Sequence, residues 1–163
     1  MTSPLTTEAV ANWFILKAKE NGESITAMKL QKLIYYAHGW CLALYKRPLV
    51  EDKVQAWTYG PVFPHVYHLA KAYGSDPIDS LLYGYFPPPS VVQDSDPRIP
   101  LLEKIWDVFG KYSASQLSRM THELGGPWDK TIKLNPGRRG TTIPEDLLIE
   151  YFSKTGAYAE GNG

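Results

Sequence analysis

The sequence predicts a mainly α-helical fold: a compact helical domain around one central buried helix, with one small β-hairpin-like element. Three observations predict it. Leu30, Leu33, Ile34, Ala37, Cys41 and Leu44 mark a stripe at helical spacing, and Tyr35, Tyr36 and Trp40 extend the apolar surface beyond it. Capped segments of the same 3.6-residue period recur on both sides of this stretch. Only between Val54 and Tyr59 does the period fall to two.

Taken in chain order, the first helix is expected over Thr7–Asn21, with Val10, Phe14 and Ala18 on one face, Trp13 beside them and Gly22 beyond the end. The central helix is expected over Thr26–Tyr45, capped by Ser24 or Thr26. Gly39 in its interior costs about 1 kcal/mol against alanine, and close approach of a neighbouring helix is the expected return. Val54, Ala56 and Thr58 alternate with Gln55, Trp57 and Tyr59. Leu49-Val50 is the expected strand partner across Glu51-Asp52-Lys53. Gly60-Pro61 is expected to end the strand, Pro61 opening a helix that carries Val62, Val66, Leu69, Ala70 and Tyr73 and closes at Gly74.

Asp76–Pro97 holds Pro77, Pro87, Pro88, Pro89 and Pro97. The triple proline favours extended backbone. Leu81, Leu82, Tyr83, Tyr85 and Phe86 are too apolar for a free linker, so an irregular segment lying on the core is expected. Asp96-Pro97 starts a helix with Leu102, Ile105, Trp106 and Phe109 facing in. Ser113 and Gln116 form a capping box for a helix with Leu117, Met120, Thr121 and Leu124, stopped by Gly125-Gly126. Pro127-Trp128 begins a short helix, Asn135-Pro136-Gly137 is a turn, and Pro144 opens a last helix with Leu147, Leu148, Tyr151 and Phe152. Residues 156–163 are expected to fray.

The 163 residues, 44% of them hydrophobic, fit one domain over 1–163 and argue against disorder. Seventeen basic residues balance seventeen acidic ones, which argues against nucleic acid as a partner, since phosphate neutralisation supplies most nucleic-acid affinity. The charge is uneven along the chain: residues 51–100 hold three basic and six acidic groups, residues 101–140 seven and four. Opposed patches suit steering of a protein partner. The N-terminus does not read as a signal peptide and no apolar run reaches membrane-spanning length, so a cytoplasmic protein with no membrane contact is expected.

Catalytic and metal readings are weak at this level. His38 and Cys41 are helical neighbours, but Cys41 falls on the apolar stripe, where a free cysteine acts as a small hydrophobe. His65 and His68 share a helix face without the further ligands a zinc site needs. His122-Glu123 is the remaining acid–base candidate. Lys130, Lys133, Arg138 and Arg139 form the best basic cluster, read first as a solvated loop. No Gly-rich phosphate loop is present. No catalytic residue, metal or cofactor is therefore assigned. The aromatic residues, 13% of the chain, carry more weight. Trp57 and Tyr59 share one face of the period-two segment, either packed on the central helix or held as a rigid patch for a partner; composition leaves both readings open.

Three ordered motifs resemble those of the Panacea domain, the family of SocA-like and phage-associated GepA-like proteins. Leu30-Gln31-Lys32-Leu33-Ile34-Tyr35-Tyr36-Ala37-His38-Gly39-Trp40 resembles its LQKLLYYA-x-GW motif. Ala56-Trp57-Thr58-Tyr59-Gly60-Pro61-Val62, with Val66-Tyr67, resembles AW-x-YGPV…VY. Leu117–His122 with Pro127-Trp128 resembles LS-x-x-TH…PW. The resemblance implies a non-enzymatic antitoxin that neutralises a protein toxin, encoded by an adjacent gene, by direct binding. It also implies an alternative, an adaptor that delivers the toxin to a ClpXP-type protease. Leu30, Lys32, Leu33, Ile34, Tyr36, Ala37, Trp40, Gly60 and Pro61 are expected to be structural, and Thr121, His122 and Trp128 to form a hydrogen-bonded cluster pinning two helices. Toxin-binding candidates are Trp57, Tyr59, His65, Tyr67, Tyr85 and Phe86. A homo-oligomer and a DNA-binding autorepressor are further readings, the latter disfavoured by the zero net charge.

Overall fold

The computed structural model describes residues 3–84 and 86–155. Tyr85 and the tail from Gly156, expected to bind toxin and to fray respectively, lie outside the described residues. The chain forms α1 (Thr7–Glu20), α2 (Ala27–Tyr45), β1 (Gln55–Trp57), β2 (Gly60–Val62), α3 (Pro64–Ala70) with a 3-10 turn at Lys71–Tyr73, α4 (Ile99–Phe109), α5 (Ala114–Thr121), α6 (Pro127–Leu134), β3 (Thr141–Thr142) and α7 (Glu145–Thr155). It is mainly helical, as the sequence predicts.

Helix α2 is the hub. It starts at the Thr26 side chain, which accepts the Lys29 N–H, and every residue from Leu30 to Ala43 is buried. Helices α1, α3, α4, α5 and α7 and strand β2 all pack on it. Gly39 marks the tightest approach: a Cβ there would lie 2.1 Å from the Phe152 ring of α7. The missing side chain lets the ring lie on the α2 backbone, where it meets Tyr35, Tyr36 and Trp40 edge-on. Tyr36 in turn stacks on Phe109 of α4 at 4.1 Å.

Three polar side chains in α2 are served by neighbours. Gln31 accepts the Phe63 N–H at 2.8 Å and donates to the Phe63 carbonyl at 3.1 Å. His38 Nδ1 accepts the Val50 N–H at 3.5 Å. Lys32 donates to the Pro61 carbonyl at 3.4 Å.

The β element differs from expectation. Leu49-Val50 does not pair with β1. Val50 forms a parallel bridge with Leu5, Leu5 donating to Leu49 O and Glu51 donating to Leu5 O, while the Asp52 carboxylate accepts the Thr7 hydroxyl. Both edges of β1 are taken instead by β2 and β3, in the antiparallel order β2-β1-β3. Gly60-Pro61 therefore begins a strand rather than ending one. Proline is tolerated because β2 is an edge strand, where a missing N–H costs no ladder bond. The helix expected from Pro61 starts three residues later, at Pro64, again a proline at the first turn. The two-residue β3 had no sequence signal.

The proline-rich segment lies on the core as expected. Ile78, Leu82 and Val92 are buried. The buried Asn12 of α1 accepts the Leu82 N–H and donates to the carbonyls of Leu82 and Ser90, and Glu8 accepts the Ser90 N–H. The Ser113–Gln116 capping box is present. Helix α5 ends earlier than expected, at Thr121, because His122 caps it and turns its ring toward the hairpin. Leu124 consequently lies outside the helix and is 81% exposed.

Gly39→Ala is expected to lower stability by about 1–3 kcal/mol, because overpacking outweighs the gain in helix propensity. In urea melts, the double variant with Phe152→Leu should be less destabilised than the sum of the single changes. Burial, with a smaller contribution from Lys53, pushes His38 down to about 4 from 6.5. As pH falls, the unfolded chain takes up this proton first. Stability should therefore drop by up to about 3 kcal/mol between pH 6.5 and 4, a loss that His38→Gln reduces in denaturant midpoints measured across that range.

Candidate functional site

A groove of about 690 Å³ opens where the hairpin meets the N-terminal end of α2. Ala27, Met28, Gln31 and Lys32 of α2 form one side. The β1–β2 hairpin supplies Gln55 to Tyr59 and Val62, α3 adds Tyr67, and α6 adds Ile132. The loop before β3 closes it with Arg138, Arg139 and Gly140.

The hairpin wall is aromatic and held from behind. Trp57 and Tyr67 meet at 4.8 Å between ring centroids, and the Trp57 indole donates to Gln55 Oε1 at 2.9 Å. The loop residues Thr58 and Tyr59 lie between the paired Trp57 and Gly60. Gly60 adopts φ 115°, a conformation side-chain-bearing residues rarely take. A Cβ there would also stand 2.8 Å from Thr121 Oγ1 and 2.9 Å from Lys32 Cε.

Helices α5 and α6 fasten this loop by its carbonyls. Trp57 O accepts the Trp128 indole N–H at 2.7 Å, Thr58 O meets His122 Nε2 at 3.2 Å, and Tyr59 O accepts the Ser118 hydroxyl at 2.9 Å. The His122 ring lies on Trp128 at 4.0 Å, and Thr121 donates to Ser118 O. The cluster expected to pin two helices to one another thus ties both of them to the hairpin.

Of the proposed binding residues, the groove brings together Trp57, Tyr59 and Tyr67, the last two 68% and 37% exposed. His65 and Phe86 are exposed but do not line it. Trp57 and Tyr59 do not pack into the α2 core. Arg138 and Arg139, read from sequence as a solvated loop, reach the groove because Gln55 pairs with Thr142 and Ala56 with Thr141. Lys130 and Lys133 of the same cluster are engaged elsewhere, with Glu150 and Asp129.

The acid–base candidates are buried or engaged in structural contacts. Burial pushes the Cys41 thiol up to about 11, and the His38 Nδ1 faces Val50. Glu123 accepts the Tyr151 hydroxyl while His122 contacts Thr58 and Ser118 carbonyls. Among the described residues, no group of three or more His, Cys, Asp or Glu side chains is placed to hold a metal ion.

The family model for the SocA-like antitoxin, Panacea domain, matches residues 30–129, from Leu30 within α2 through the hairpin to the first turn of α6. The chain belongs to the Panacea-domain family. It is also 38% identical over 153 residues to Antitoxin SocA of Caulobacter vibrioides (strain NA1000 / CB15N), covering 88% of this chain and 80% of that one. These similarities support an antitoxin role. No solved structure gives a significant match. No helix among the described residues is long and apolar enough to cross a membrane. In this Panacea-domain chain the matched span contains both the buried hub and the aromatic hairpin, while Arg138 and Arg139 lie beyond it.

Lys32 is 1% exposed, and burial lowers its ammonium to about 8 from 10.5. Below pH 8 the folded chain carries a cation it would hold more easily unfolded. The cost, about 3 kcal/mol, fades as pH rises from 8 to 10.5. Lys32→Met is expected to raise the melting temperature by several degrees at pH 7, and the advantage should shrink above pH 8 in thermal scans.

Proposed function

We propose that this protein is an antitoxin that neutralises a cognate protein toxin, encoded by an adjacent gene, by covering the toxin's working surface. The chain acts in the cytoplasm, and residues 1–163 work as one domain. Phe152, outside the family match, packs on Gly39 within it, which favours a single unit. The observation that carries the reading is the aromatic wall of Trp57, Tyr59 and Tyr67 beside an open groove, on a hairpin fixed by three carbonyl contacts. Rigid Trp and Tyr side chains are favoured anchors because they bury much area at little conformational cost. A stable complex needs about 1,200–2,000 Å² of buried surface, so the groove would form its centre and neighbouring surface its rim. Delivery to a ClpXP-type protease would require a second binding surface, and capture by itself accounts for the groove.

The test is co-expression with the adjacent open reading frame, scored by growth rescue and co-purification. Tyr59→Ala is the cleanest variant, because this side chain projects from the loop while its backbone carries the Ser118 contact. It should weaken toxin capture tenfold or more, about 1.4 kcal/mol, with an unchanged melting curve. Rescue and affinity equal to wild type would remove the hairpin from the interface.

A further inference from the structure

The groove has a charge pattern that its apolar wall does not explain. Its lining includes three cations, Lys32, Arg138 and Arg139, and no carboxylate, in a chain whose total charge is balanced. Among the described residues Lys32 has a single long hydrogen bond, to Pro61 O at 3.4 Å. An ammonium group has three N–H donors to satisfy, and buried charges are ordinarily paired. The hairpin bend is nonetheless built around this side chain, since a Cβ at Gly60 would collide with it. Arg138 and Arg139 are exposed and take part in no ion pair among the described residues, whereas the neighbouring Lys130 and Lys133 do.

We propose that the groove receives an acidic segment of the partner protein, an Asp or Glu carboxylate directed at Lys32 and Arg138–Arg139 with a flanking apolar side chain on the aromatic wall. The antitoxin reading supplies the partner's identity; the charge and shape of the groove supply the chemistry. A carboxylate would give Lys32 an anionic acceptor beside the Pro61 carbonyl, in surroundings where the pair attracts more strongly than in water. The aliphatic lining from Met28, Val62 and Ile132 suits the apolar residues beside it. A nucleic-acid strand fits less well. Backbone binding needs a surface track of cations matched to successive phosphates, and here one of three lies buried at a single point.

The test uses the full chain and a displayed library of random twelve-residue peptides, panned at physiological salt. Enriched peptides should carry Asp or Glu next to an aromatic or aliphatic residue. A synthetic enriched peptide should bind at least tenfold more weakly after Asp→Asn or Glu→Gln exchange, and similarly to Lys32→Met. The double variant Arg138→Gln/Arg139→Gln should lose at least fivefold. If Lys32→Met does not melt cooperatively, the arginine pair, both exposed, decides the outcome.

Several results would overturn the proposal. They are enrichment of peptides without acidic residues, no enrichment at all, binding indifferent to the charge variants, and displacement by inorganic phosphate or a twelve-nucleotide oligouridylate at lower concentration than by free peptide. Self-association abolished by the same variants would make a second copy the occupant and overturn it too. Failure of the antitoxin reading has a separate signature: wild-type chain that does not rescue growth while peptide binding persists. Failure of this inference alone leaves rescue and co-purification equal in wild type and charge variants.

Discussion

Burial of α2 on every side from Leu30 to Ala43 is the constraint on which the rest of this molecule depends. A helix covered on every side leaves its neighbours two duties, to fill the space around it and to satisfy whatever polar groups it carries. Phe152 meets the first by lying against the bare backbone of Gly39. Phe63, Val50 and Pro61 meet the second by offering backbone groups to Gln31, His38 and Lys32. Two of these three segments flank or form the hairpin. The same burial that stabilises the core therefore sets the position of the aromatic loop.

The hairpin is held from two directions. From below, Gln31 clamps both backbone groups of Phe63, the residue after β2. From the side, Trp128, His122 and Ser118 hold the carbonyls of Trp57, Thr58 and Tyr59 in succession. Contacts to backbone leave the side chains free. Trp57 and Tyr59 can face the groove while the loop that carries them is fixed, a preorganised arrangement that lowers the entropy lost on binding. The three family motifs converge here: the first supplies Gln31 and Lys32, the second the hairpin, the third its lateral fasteners.

Lys32 sets stability against recognition. An ammonium at this depth with one long hydrogen bond destabilises the free chain. The Pro61 carbonyl offsets that only in part, and the groove lining that includes Lys32 adds two further cations. An unrelieved charge in a core is an expected exception to local consistency where function is at stake.

Helix positions were legible in the sequence wherever a 3.6-residue period met a cap, because both are local. Thr26 as one of two candidate caps, the Ser113–Gln116 box and the prolines opening α6 and α7 were read from neighbouring residues alone. So was Gly39 as a site of close approach, although Phe152 as the group that fills it was not. The pairing of β1 could not be read, since Val50 is taken by Leu5 and the second edge of β1 by Thr141-Thr142, both through contacts distant in the chain, and a two-residue strand has no period. The site divided in the same way. Trp57, Tyr59 and Tyr67 were visible as aromatics near a turn, whereas Arg138 and Arg139 looked like loop charges until β3 brought them beside the hairpin. Residue type and spacing specify which segments coil and which groups have chemistry to offer. Which of those groups face one another depends on how α2 is covered, because burial on all sides leaves each neighbour few places to lie.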